Sequence, residues 1–453
     1  MERAVYMVGH MTAVELPIIR RGDARYEAAR RAAVWNAELP DRFPDVIVQA
    51  GGEADVIAAV RLARAEGLRI GVRSGGHSWQ ANHVRDGGML LDVSRMRESV
   101  IDAANRTATV EPGCMGSETM LALEREGLFF PGGHCVGVCL GGYLLQGGFG
   151  WNGRVHGPAC MSVEAIDVVT ADGELVHATE HEHSDLLWAA RGAGPGFFGV
   201  VTRFHLRLQP SPPVVANGVY MYPLDVLEDV FRWAHEIGPS VPRAMELMVL
   251  VHRDEQGEPE LVVTGPVLME AEEQARDALA LLETCPVLDR AKIAEPYVPV
   301  TLADLYAGVH AAYPDNHHYA VDNMWTRAPV DELLPGLRRI AETMPPPPSH
   351  MLWMNWGPSP ERPDMAYSVE DDTYIALYGV TPQAGEFAGQ IEWATGHMRA
   401  MENQASGIQL ADENLVRRPA RFVTDEHMSR LDAIRADYDP DGRFHPWMGR
   451  IES

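Results

Sequence analysis

Three glycine-rich runs carry the side chains best able to do chemistry in this chain. Arg73-Ser74-Gly75-Gly76-His77-Ser78 sets an imidazole and two hydroxyls among glycines. Cys135 to Gly150 holds two thiols, Cys135 and Cys139, ahead of Gly141-Gly142-Tyr143 and Gly147-Gly148-Phe149-Gly150. Trp188 to Thr202 holds Arg191, Gly192, Gly194, Gly199 and Val200. Glycine lets backbone N–H groups approach an anion with no Cβ in the way, and successive N–H groups form anion-binding nests. A single such run reads as tight turns. Three in one region point to a ligand carrying a pyrophosphate or a similar anion, neutralised by dipoles and not by lysines.

Two of these runs match G-x-G-x-x-G, at Gly148 to Gly153 and at Gly194 to Gly199. A dinucleotide fingerprint needs a strand before the glycines and a helix after them. The second match runs into the strand pattern Val200-Val-Thr-Arg-Phe-His-Leu-Arg-Leu208, and Pro158 follows the first with no amphipathic run. Neither reads as a nicotinamide site. His177, His181 and His183 lack the spacing of a known zinc set and read as a solvated loop, and His317-His318 is no better, so no metal is expected. Ser74 and Ser78 have no nucleophile-elbow context.

The elements that must position these runs come from hydrophobic spacing. A helix is expected over Asp23–Glu38, a strand over 45–49, a helix over Glu53–Glu66 with Gly67 as its stop, and a strand over 68–73 that delivers His77. This is one α/β unit. Strands at 89–93 and 108–111, a helix at 117–126, a hairpin over 163–178 turning at Ala171-Asp172-Gly173, a short helix at 185–190 and a strand over 199–208 follow. Gln209-Pro-Ser-Pro-Pro213 is the best boundary, because clustered prolines end helices and ladders alike. Beyond it, alternating segments at 214–221, 246–252, 260–265, 318–325, 351–356 and 373–380, separated by helical stretches, read as an antiparallel α+β domain.

With 453 residues the chain exceeds a single core. Its formal charge of −26 argues against nucleic acid and anionic membrane as partners. No apolar stretch is long enough to span a bilayer, and Met1 to Arg20 does not read as a secretory signal. Five cysteines, an odd number, argue against a disulfide scaffold, so a reduced, cytoplasmic protein is the expectation. Nothing in the sequence sets an oligomeric state.

The motifs together resemble a known family. Arg73-Ser-Gly-Gly-His77-Ser78 after a strand resembles the first flavin-attachment motif of the FAD-linked oxidases of the vanillyl-alcohol oxidase superfamily, nearest its berberine-bridge-enzyme-like branch. Cys135 six residues before Gly141-Gly142, the run Trp188 to Thr202, and Tyr438-Asp439-Pro440-Asp-Gly-Arg443-Phe444 are similar to that branch's later signatures, in order along the whole chain. The resemblance implies an α+β fold: a two-subdomain PCMH-type FAD-binding domain over 1–210, an α+β substrate domain with an antiparallel sheet over 211–400, and a return to the FAD-binding domain over 401–453. It implies FAD held covalently, with His77 on the 8α-methyl and Cys135 on C6 of the isoalloxazine. Arg73, Ser74, Gly75, Gly76, Ser78, Val138, Gly141, Gly142, Tyr143, Gly147, Gly148, Gly150, Gly199 and Val200 would line the cofactor.

The resemblance also implies hydride transfer from a substrate carbon bearing oxygen or nitrogen, assisted by a base. Relatives often carry Tyr-x-Asn with the tyrosine as base, where this chain has Ile408-Gln-Leu410-Ala-Asp412. Val136 stands where proline is frequent, and Tyr143 where histidine is. The base is therefore sought on substrate-domain strands, among His318, Tyr319, Tyr374 and Tyr378. Strand alternation sends His318 and Tyr319 to opposite faces and lets Tyr374 and Tyr378 share one. Val138 resembles the oxidase version of the oxygen-access position, so dioxygen is the expected acceptor and hydrogen peroxide the product. An alcohol, sugar or hydroxylated small molecule is the expected substrate. The alternatives are amine or alkaloid C–N oxidation, a dehydrogenase or cyclase on the same fold, or a flavin-binding protein without catalysis.

Overall fold

The computed structural model describes residues 5–6, 14–254, 256–359 and 361–450. The expectation of no secretory signal in Met1 to Arg20 concerns a segment most of which lies outside the described residues.

The first α/β unit forms where the periodicity places it. Helix Glu53–Ala65 starts after extended Gly52 with Glu53 and Asp55 in its first turn, and its buried stripe includes Val56, Ala59, Val60 and Ala63. It connects strands Val46–Gln49 and Ile70–Arg73, both parallel to Met89–Asp92, which lies between them. Ile18–Arg20 completes this four-stranded sheet. The C-terminal signature closes on its edge: the Ile70 N–H donates to the Arg443 carbonyl at 2.7 Å, and the His445 N–H to the Ile70 carbonyl at 3.0 Å.

The expected helix over 23–38 is only Tyr26–Ala32. The chain leaves the helix because other partners take its backbone: the Trp35 N–H donates to the Gly76 carbonyl and the Ala37 N–H to the His317 carbonyl, each at 3.0 Å.

A second sheet of five antiparallel strands runs Leu175–Ala178, Val163–Val169, Val200–Arg207, Thr107–Val110, Ser99–Asp102. Its hairpin turns at Gly173, whose φ of +75° places it in the left-handed region that favours glycine. One apolar core unites these two sheets with Ile408, Leu415, Leu431, Phe444 and Trp447 from the chain's end.

Beyond residue 213 an eight-stranded sheet runs Val267–Met269, Val214–Pro223, Pro259–Thr264, Met248–Arg253, His350–Asn355, Thr373–Thr381, His318–Thr326, with Ile293–Pro299 also paired to Val214–Pro223. Two of these strands, 267–269 and 293–299, are absent from the sequence expectation. Each is marked only by a short apolar run or by prolines. Strand alternation divides the sheet into two faces. Val249, Val251, Met351, Trp353, Ile375 and Leu377 pack with helices Leu227–Ile237, Val330–Glu342 and Phe387–Ala400. Met248, Leu352, Met354, Tyr374 and Tyr378 turn the other way, toward Trp35, Trp79 and Phe149. No helix among the described residues is long and apolar enough to cross a membrane.

Candidate active site

A cavity of about 570 Å³ is lined from both sides, by loops of the first two sheets and by the second face of the large sheet. Strand Ile70–Arg73 delivers the first loop. The Arg73 guanidinium is held by Asp92 at 2.9 Å, at the end of the neighbouring strand. The loop turns at Gly76, where φ is +78° and a Cβ would lie 2.3 Å from the Ala33 carbonyl oxygen. His77 follows, stacked on Trp35 with ring centroids 4.7 Å apart and planes at 20°. Burial and the nearby Arg73 charge pull His77 down to about 4, so its ring is neutral at neutral pH. The N–H groups of Ser74 to Ser78 donate to no acceptor among the described residues. Arg73 Nε and His445 Nε2, on cavity-lining residues, are likewise buried without a partner.

Cys135, Val138, Gly141, Gly142 and Tyr143 line the same cavity, as does Gly199 from the third glycine run. A Cβ at Gly142 would meet nothing closer than 3.9 Å, so the absent side chain leaves room for a ligand. Cys135 is half-buried and free, and burial pushes its thiol up to about 12. Cys139 differs: it is buried and its thiol donates to the Gly113 carbonyl at 3.3 Å. The Tyr143 hydroxyl donates to the Pro131 carbonyl at 2.7 Å. Gly147, Gly148, Gly150 and Val200 are not among the lining residues. Gly147 packs on the Tyr367 ring, Gly148 on Ala159 and Tyr143, and Gly150 on the Gly132 carbonyl.

Tyr374 and Tyr378 share a face and line the cavity, and both meet Asp412. Their hydroxyls donate to its Oδ2 at 2.5 and 2.8 Å, and Trp79 Nε1 donates to its Oδ1 at 2.7 Å. Burial, with the Asp412 charge next, raises both tyrosines well above the usual phenol range. Asp412 ends a single turn, Leu410–Asp412, whose Gln409 side chain accepts from the Asp412 N–H at 3.0 Å. Asn323 fixes that turn from the sheet, donating to the Gln409 and Asp412 carbonyls at 3.1 and 2.8 Å. The adjacent Glu413 is buried, and burial raises it to about 7. It accepts from the Leu415 N–H and from Asn82, whose own N–H groups reach Ser78 Oγ.

Two of the four expected bases lie elsewhere. His318 pairs with Glu38 at 3.1 Å. Tyr319 donates to the Pro314 carbonyl at 2.7 Å, with its ring against Trp35 and Trp79. Neither is among the lining residues. Asp412 escaped sequence reasoning as a functional group, although it stands in the stretch that corresponds to the relatives' Tyr-x-Asn. A second unforeseen pair is His134 with the buried Glu246, 2.9 Å apart at the cavity. His177 lies on a strand, not in a solvated loop, and meets Asp167 at 2.6 Å, with His205 at 3.2 Å from the same carboxylate. Arg203 stands 3.8 Å from that carboxylate, so its charge is already shared.

Comparison with known proteins gives a consistent result. A family profile described as an FAD binding domain matches residues 44–179. The chain is 32% identical over 444 residues to the FAD-linked oxidoreductase janO of Penicillium janthinellum, covering 96% of this chain and 98% of that one. Its fold is similar to that of 6-hydroxy-D-nicotine oxidase from Arthrobacter nicotinovorans, with a TM-score of 0.82, 22% identity and coverage of 97% and 98%. It is also similar to Phl p 4, a grass pollen glucose dehydrogenase, with a TM-score of 0.81, 18% identity and coverage of 96% and 97%.

Proposed function

This chain belongs to the FAD-linked oxidoreductases, and from that premise we propose that it is an oxidase of hydroxyl-bearing small molecules, with FAD tethered to His77 and Cys135. The cofactor is held by residues 1–210 and 401–453, and residues 211–400 supply most of the substrate wall. The fit to FAD is supported by the unpartnered N–H groups of Ser74 to Ser78, the orphaned Arg73 Nε and His445 Nε2, and the room left at Gly142. These donors suit a pyrophosphate and explain how an acidic chain holds one with Arg73 as the only Lys or Arg among the described residues of the lining. Bound FAD supplies the two-electron acceptor.

The observation that carries the reading is the carboxylate of Asp412, gripped by three donors in the wall that also contains His77 and Cys135. Oxidising an alcohol requires a group that takes the hydroxyl proton within hydrogen-bond reach. Tyr374 and Tyr378 are held in their protonated form by burial, so they act as donors that orient the site. The proton comes to rest on Asp412, received directly or passed through the Tyr374 hydroxyl along their 2.5 Å hydrogen bond. Trp79 fixes the other oxygen and so the plane of the carboxylate. Neutral His77 has a lone pair free for attachment, whereas Cys135 must first lose its proton.

Dioxygen is the terminal acceptor and hydrogen peroxide the product, with the small side chain of Val138 leaving access in the cofactor wall. The test is the purified holoprotein with an oxidisable alcohol, read by flavin bleaching and by a peroxidase-coupled assay. Bleaching followed by recovery in air, with peroxide released, is expected. Flavin that substrate reduces but air does not reoxidise within seconds refutes the oxidase reading.

A further inference from the structure

We propose that the substrate is a neutral, largely hydrocarbon, ring-bearing alcohol and not a sugar; this rests on the oxidase reading above. Strand alternation sorts the side chains of two neighbouring strands of the large sheet. On Met248–Arg253 and His350–Asn355, the face turned away from the helices carries Met248, Leu250, Leu352 and Met354, all four lining the cavity, and ends in the paired His252 and His350, which are not among the lining residues. Their register pairs Met248 with Met354 and Leu250 with Leu352. Directly opposed residues on one sheet face lie about 5 Å apart, so the four make one continuous aliphatic and thioether floor. The strand carrying Tyr374 and Tyr378 is next in the sheet, and the floor therefore leads to Asp412.

A second apolar wall comes from helix Leu302–Ala312 and the residues before it, through Val300, Leu305 and Val309. Phe149 and Trp151 add ring faces. Most polar groups of this part of the lining are already spoken for, the exceptions being the Trp151 indole N–H, buried without a partner, and His310. Thr264 donates to Asn217 at 2.8 Å, and the same Asn217 oxygen accepts the Gly265 N–H. Asp304 accepts twice from Thr301 at its helix cap. His134 is bound to Glu246.

A sugar presents a hydroxyl at nearly every carbon, and with so few free polar groups here most of them would lose their hydrogen bonds to water without a replacement. A hydrocarbon ring system loses nothing and gains contact with methionines, which adapt to irregular shapes. One hydroxyl suffices, placed at the Tyr374–Asp412–Tyr378 group. Charge agrees: among the described residues Arg73 is the only Lys or Arg in the lining and belongs to the His77 loop, so an anionic substrate finds no counter-ion among them.

The test uses the FAD-loaded protein with 2-naphthalenemethanol and cellobiose as probes. Binding is read under anaerobic conditions from the perturbation of the flavin spectrum, separately from turnover. Saturable binding of the naphthyl alcohol and none of cellobiose is expected. Leu250→Asn and Leu352→Asn, made separately, should each weaken the naphthyl alcohol by about tenfold. An unaltered flavin spectrum in the free variant shows that the variant is folded. Tighter binding of cellobiose than of the naphthyl alcohol, or naphthyl binding indifferent to both substitutions in folded protein, overturns the proposal. Naphthyl binding without turnover leaves the substrate class standing and counts against the oxidase reading instead.

Discussion

Replacing Glu413 by glutamine should stabilise the protein at alkaline pH and leave it unchanged at acid pH. Glu413 is buried beside Asp412, and burial raises its carboxyl from an ordinary 4.5 to about 7. In the unfolded chain the same group ionises near 4.5. Below that value both states are protonated and the group costs nothing. As pH rises from 4.5 toward 7, the unfolded chain gives up its proton while the folded chain keeps it, and the native state loses ground. Above 7 the loss is complete and amounts to about 3 kcal/mol, from 1.36 kcal/mol per pH unit. Glutamine mimics the protonated acid: its oxygen can accept the Leu415 N–H now bound at 2.8 Å, and its amide can face an Asn82 side chain turned to present oxygen. The assay is thermal unfolding of both proteins from pH 4.5 to 8.5, with attention to the difference, because every other titrating group cancels in it. The gap in Tm should open as pH rises, reaching a few degrees at pH 8. Curves that stay parallel across this range would refute the burial argument. So would a gap that widens toward acid pH.

The other predictions concern the cavity. Asp412→Asn should lower kcat by about two to four orders of magnitude while the protein keeps its flavin, because the general base is lost and Trp79 Nε1 then faces an amide donor; a variant retaining half its activity would exclude Asp412 as the proton acceptor. Wild-type protein precipitated with acid should stay yellow, His77→Ala and Cys135→Ala should each retain the flavin through the other tether, and only the double variant should release it. Release of free flavin from wild type removes both attachments at once. Val138→Ile should slow reoxidation by air in stopped-flow mixing without altering flavin reduction by substrate, and equal slowing of both steps would deny Val138 a role in oxygen access.

Much of the fold was legible because it is periodic. Glu53–Ala65 announces itself by Val56, Val60 and Ala63 at helical spacing, and Met248–Arg253 and Thr373–Thr381 by apolar runs of strand length, whose side chains take the two faces with a period of two. The same period of two foretold that Tyr374 and Tyr378 share a face. Tyr26–Ala32 was overestimated because the backbone bonds that draw Trp35 and Ala37 away come from residues 76 and 317. Nothing local signals partners that distant in sequence. The glycine runs were legible as a ligand cradle only in part. Gly142 and Gly199 line the cavity, whereas Gly147, Gly148 and Gly150 make way for tyrosines 143 and 367 and for the Gly132 carbonyl. Composition is the same in the two cases, and only the neighbour tells them apart.

Gln409 to Asn414 marks the limit most clearly. This segment has a single turn of regular structure, yet nearly every residue in it is assigned to a different neighbour. Gln409 is bound by Asn323, Asp412 by Trp79, Tyr374 and Tyr378, and Glu413 by Asn82. Asn414 donates to Asp322 at 2.8 Å and to Thr395 at 2.9 Å, and Asp322 is itself paired with Arg418. The partners come from the first loop region, from two strands of the large sheet and from the helix behind it. A segment shaped by side-chain bonds has no period to read, and each bond exists only once the other elements are in place. It follows that the geometry of Asp412 depends on both halves of the molecule. A substitution on either side that loosens this segment, Asn323→Ala or Asn82→Ala, should disturb proton transfer at Asp412 even though neither residue is among its direct hydrogen-bond donors through a side chain to the carboxylate.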